Sequence, residues 1–152
     1  MLPCLHCQSL EVSYTGMFCV IYDGNCNLCV NLVRLLEKLD QGQQFCYVPM
    51  QDHNTLADLD IRPEACEAGM ILVNLENLHQ RWQGSDAAEE IGRRLPLGDV
   101  FVQAYRSLPG LKATGDQVYG YVRDNRYGLF GKRPQQYQSD YPFCPDDGCK
   151  SF

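Results

Sequence analysis

Cys26 and Cys29, in the stretch CVIYDGNCNLC (19–29), are the residues of this 152-residue chain best spaced to do chemistry. Thiols at this spacing exchange disulfides or supply two ligands of a metal site. On a helix, residues three apart share a face with Cβ atoms roughly 5–6 Å apart. A small adjustment brings them to the about 3.5–4.5 Å that a disulfide needs. A cysteine opening a helix meets unpaired N–H groups and the positive end of the macrodipole, which stabilise the reactive thiolate. The expected division of labour follows: Cys26 attacks a disulfide, and Cys29, one turn in and less accessible, resolves the mixed disulfide. Such exchange requires no cofactor, only a thiol- or disulfide-bearing protein or small molecule as substrate. Asp23 is the nearest ionisable residue. It either accepts a proton from Cys29 or serves as a turn residue, and its charge would raise a nearby thiol pKa. Two other readings compete: a metal-binding protein that uses the pair as thiolate ligands, and an interaction module whose pair is idle.

The elements that must position this pair are legible nearby. Met17–Tyr22 is a continuous apolar, β-favouring run, which suits a strand covered on both faces. Asp23-Gly24-Asn25 breaks it with turn chemistry. Leu28, Leu32, Leu35, Leu36 and Leu39 then define one helical face, opposite Asn27, Asn31, Arg34 and Lys38. Asn25 is the expected N-cap and Gly42 the end signal. Phe45–Val48 reads as a second strand, parallel to the first through a right-handed crossover. A short helix around 55–59 and a loop holding Pro63 lead to a third strand, Met70–Val73. Asn74–Asn77 turns the chain into a fourth, Leu78–Trp82, forming a hairpin with Trp82 in the core. A helix capped by Ser85 or Asp86 runs to Pro96, and helical stretches over 100–108 and 111–130 follow, the latter interrupted by glycines. This order resembles the thioredoxin-like α/β arrangement: a four-stranded mixed sheet flanked by helices, here with extra C-terminal helices. Its active site lies where the first strand meets the first helix.

Asp23-Gly-Asn-Cys-Asn-Leu-Cys29 resembles the DGxCxxC signature of the DCC family of thiol-disulfide oxidoreductases. Gly84-Ser85-Asp86-Ala87 before a helix, and the stretch from Tyr119 to Arg133 ending in NRYGLFGKR, match it further. The resemblance spans residues 17–133. It implies a thioredoxin-like fold, Cys26 and Cys29 as the redox pair, and Asp23 as the motif acid. In one respect the chain departs from thioredoxins, whose cis-proline before the third strand helps present a substrate peptide. The corresponding stretch is Cys66-Glu-Ala-Gly-Met70, with Pro63 the nearest proline. Cys66 is therefore either a third redox thiol near the pair or a semi-buried loop cysteine.

Nine cysteines, an odd count, do not suit a disulfide framework. Cys19 and Cys46 fall inside expected strands and read as inert core thiols. Cys4 and Cys7 near one end, with Cys144 and Cys149 near the other, would make a closed structural zinc site if the termini meet. The alternatives are a terminal disulfide, a second redox pair or flexible tails. Residues 17–133 are expected to be the domain, after a polar segment 1–16 and before a tail 134–152 packed on or near it. A net charge of -6 argues against a nucleic-acid binder. No apolar run approaches the ~20 residues that span a bilayer, and the first residues lack signal-peptide character, so a cytoplasmic, membrane-free protein is expected. Arg123, Arg126, Lys132 and Arg133, interleaved with Tyr119, Tyr121, Tyr127 and Phe130, read as the solvated basic face of a terminal helix, with a site for an anionic partner as the lesser alternative. His53 and His79 are isolated from any partner at ligand spacing.

Overall fold

The computed structural model describes residues 14–144. The apolar run forms β1 (Phe18–Tyr22), buried at all five positions. It is followed by α1 (Asn27–Asp40) and β2 (Phe45–Pro49). Next come α2 (His53–Asp58), which Asp52 caps, and a 3₁₀ helix, Pro63–Ala68, where a loop was expected. The hairpin strands are β3 (Ile71–Asn74) and β4 (Asn77–Gln83), and α3 (Ser85–Arg94), α4 (Gly98–Ser107) and α5 (Leu111–Phe130) complete the order.

The sheet runs β2-β1-β3-β4. β1 lies parallel to β2 and antiparallel to β3, which is antiparallel to β4. This is the four-stranded mixed sheet with flanking helices of the thioredoxin-like arrangement. Alternation along β1 divides the core between the two sheet faces. Phe18, Val20 and Tyr22 pack with Val30, Val33 and Leu36 of α1 and with Ile91 of α3. Cys19 and Ile21 face Leu56, Leu59, Ile61 and Cys66 on the other side. β1 is thus central and covered twice, as its sequence requires.

The expected inner face of α1 is corrected. Leu32, Leu35 and Leu39 are 45%, 52% and 52% exposed, and of the leucine stripe only Leu36 is buried. The buried line is Val30, Val33, Leu36, Glu37 and Asp40. Two carboxylates can occupy it because both are hydrogen-bonded. Glu37 accepts from the hydroxyls of Tyr137, at 2.8 Å, and Ser139, while Asp40 accepts from the backbone N–H groups of Gln44 and Phe45.

α5 is also continuous where glycines were expected to interrupt it. Gly115 permits close approach of α4, since a Cβ there would run into the Tyr105 hydroxyl. Beyond α5, residues 131–137 return across the start of α1, and the Tyr141 carbonyl accepts from Tyr47 N–H of β2 at 2.9 Å. Among the described residues, no helix is long and apolar enough to cross a membrane.

Candidate active site

β1 carries the chain to Asp23, where a tight turn reverses it into α1. Asn25 N–H donates to Asp23 Oδ1 at 2.9 Å, and Cys26 N–H donates to the Asp23 carbonyl at 3.2 Å. The N-cap of α1 is Cys26, not the expected Asn25. Its Sγ accepts the Cys29 N–H at 3.4 Å, satisfying one donor that a helix start leaves unpaired. Asn25 lies one residue before the cap, and its side-chain amide donates to the Arg133 carbonyl at 3.2 Å. Cys26 and Cys29 are both free thiols.

Their accessibility is the reverse of the expectation. Cys26 is 0% exposed, whereas Cys29 is partly exposed. The cause is the strap after α5. Asn27 N–H donates to the Gly131 carbonyl at 3.3 Å, Arg133 N–H to the Asn25 carbonyl at 2.6 Å, and Lys132 bridges Cys26 as an added antiparallel residue. Burial pushes the Cys29 thiol well above its ordinary value. The adjoining Cys26 sulfur and the Asp23 charge act in the same direction, and Arg126 opposes them.

Asp23 is 5% exposed and fully engaged. Oδ1 accepts from Gln51 Nε2 at 2.8 Å as well as from Asn25. Oδ2 accepts from Arg126 Nη2 at 3.2 Å and from the Tyr127 hydroxyl. Burial alone would raise this carboxyl, but the Tyr127, Asn25 and Gln51 hydrogen bonds and the Arg126 charge outweigh it and hold the carboxyl below its ordinary value. Asp23 therefore latches α5 to the end of β1. Of the basic cluster expected on a solvated face, Arg126 points inward to this carboxylate. Gln51, Tyr119, Arg126 and Tyr127 had no assigned place at the site. The adjacent Arg126-Tyr127 in the C-terminal stretch was the available signal, but the inward turn depends on a partner from the opposite end of the domain.

Beside the pair, α1 and α5 enclose a cavity of about 400 Å³, which Cys29 and Cys66 both line. Its remaining wall is mainly apolar, including Leu28, Leu32, Val118 and Val122. Cys66 is buried, and burial followed by the nearby Glu64 charge raises its thiol. At the entry to β3, Met70 N–H donates to the Tyr119 hydroxyl at 3.2 Å.

The other cysteines divide by place. Cys19 and Cys46 are opposed in the β1–β2 register, free and buried in the core. Cys4, Cys7 and Cys149, three of the expected zinc ligands, lie outside the described residues. Cys144, at their edge, is disulfide-bonded. Among the described residues, no three His, Cys, Asp or Glu side chains cluster to hold a metal ion.

No curated protein and no solved structure matches the chain. A family model does: that of DCC1-like thiol-disulfide oxidoreductase, over residues 20–132, a span running from inside β1 to the strap over Cys26. With most of its length matched, Asp23 through Cys29 included, this chain belongs to the DCC1-like thiol-disulfide oxidoreductase family.

Proposed function

We propose that the protein exchanges thiols and disulfides by cycling Cys26 and Cys29 between dithiol and disulfide. The observation that carries this reading is the capping contact of Cys29 N–H on Cys26 Sγ. It places two free thiols one helical turn apart, with a donor directed at the sulfur that becomes a thiolate when their bond breaks. Asp23 acts as a positioning residue: its carboxylate fixes the turn and α5 around the pair. With its acceptor sites occupied and its carboxyl held acidic, it is a weak base for a thiol proton. That proton goes more readily to the departing sulfur or to solvent.

The test is a trapping experiment in cell extract. Cys26→Ser or Cys29→Ser protein should retain a covalent adduct, read by intact mass and released by dithiothreitol. Wild type and the double variant should retain little. No adduct on either single variant beyond that on the double variant would overturn the assignment.

A further inference from the structure

We propose that the mixed disulfide forms on Cys29, and that the substrate is an uncharged, apolar small-molecule thiol or its disulfide, seated in the α1–α5 cavity. This rests on the exchange reading and adds to it a substrate class and a point of attack.

Four observations support it. Cys29 lines the cavity, while Cys26 is absent from its wall and lies beneath the strap. The volume of about 400 Å³ falls in the range of small-molecule sites. The charges at the wall already have partners: Asp23 pairs with Arg126, and Arg123 binds the Asp124 carboxylate at 2.8 Å and the Ala68 carbonyl at 3.2 Å. A charged ligand would lose its hydration there and meet groups already occupied. Finally, Tyr119 takes the Met70 N–H, a backbone donor that an extended peptide would need at the entry to β3.

The chemistry is the same in either direction. Starting from the oxidised protein, a substrate thiolate attacks Cys29 Sγ. A bond forms between that sulfur and the substrate, the Cys26–Cys29 bond breaks, and its electron pair leaves on Cys26 Sγ. A second thiolate of the same class then attacks the bound substrate sulfur. It releases the substrate disulfide and leaves Cys29 to take up a proton. Two thiols are oxidised and the protein disulfide is reduced. Run backwards from the substrate disulfide and the reduced protein, the sequence passes through the same Cys29 adduct.

The test compares two disulfides, dithiodipyridine, uncharged and aromatic, and glutathione disulfide, a charged peptide. Cys26→Ser and Cys29→Ser proteins are treated with each, and the modified residue is located by peptide mapping. Rates are divided by those of N-acetylcysteine, which removes the intrinsic reactivity of each reagent. In Cys26→Ser the adduct should lie on Cys29, and the normalised preference for dithiodipyridine should be roughly tenfold or more, about the discrimination one buried apolar group supplies. Val122→Gln, which makes the wall polar, should reduce that preference several-fold. Leu35→Gln, exposed on α1 and away from the cavity wall, should leave it unchanged. An adduct found only on Cys26, in Cys29→Ser, would overturn the proposal. So would a normalised preference near unity, or one that Val122→Gln does not alter. In each of these cases exchange through the pair still stands. Absence of any adduct from both single variants would remove the exchange reading itself.

Discussion

Asp23 is the residue on which the geometry around the cysteines converges. It receives Asn25 and Gln51 on one oxygen and Arg126 and Tyr127 on the other. Asp23→Asn would leave the Arg126 guanidinium, only 17% exposed, without its anion. We expect a loss of about 2–3 kcal/mol in chemical denaturation, since removing one partner of a buried pair strands the other. The pH dependence has a definite sign. Because the folded carboxyl titrates below its unfolded value, its contribution is complete above about pH 4 and disappears as pH falls through the folded pKa. Wild type should therefore lose stability more steeply than Asp23→Asn below about pH 4, as measured by denaturation across that range. The same substitution removes a negative charge that raises the Cys29 thiol. The rise of Cys29 alkylation with pH should accordingly shift to lower pH in Asp23→Asn.

Among the elements, α1 shows how far its sequence could be read. Its existence and approximate ends followed from period and turn residues, but its buried face did not. Leucines mark the more hydrophobic side, yet Glu37 and Asp40 turn inward because Tyr137, Ser139 and the chain entering β2 supply hydrogen bonds. Partners that distant in sequence leave no trace in helical periodicity. Two substitutions separate the faces. Val30→Ala should cost roughly 2 kcal/mol by opening a core cavity, while Leu35→Lys should change stability by no more than about 0.5 kcal/mol. Urea denaturation measures both. The strap gives a second prediction. Arg133→Pro removes the N–H that donates to Asn25, so Cys26 should become several-fold more reactive toward iodoacetamide, as followed by peptide mapping. Unchanged labelling of Cys26 would show that the strap does not control access to it.

Over the whole molecule, β1 joins two core halves, and the core thiols all lie in one of them. Cys19, Cys46 and Cys66 pack in the core on one sheet face, while Cys26 and Cys29 stand at the sheet's end, where β1 gives way to α1. The sheet and its crossover were legible because local signals agree with the global arrangement: a buried run, a turn, a helical period and another buried run. Which sulfur is covered was not legible. That depends on residues 131–137 folding back across the start of α1, a long-range contact without a local pattern. On the proposed exchange, Cys26 and Cys29 form one redox couple, and the core thiols stay out of it. Equilibration in graded mixtures of reduced and oxidised dithiothreitol, with each cysteine read by alkylation and peptide mapping, tests this most directly. The predicted result is a single midpoint shared by Cys26 and Cys29, with the two-electron slope of about 30 mV per tenfold change, and with Cys19, Cys46 and Cys66 free throughout. Separate titration of the two cysteines, or the absence of a Cys26–Cys29 disulfide at every mixture, would contradict it.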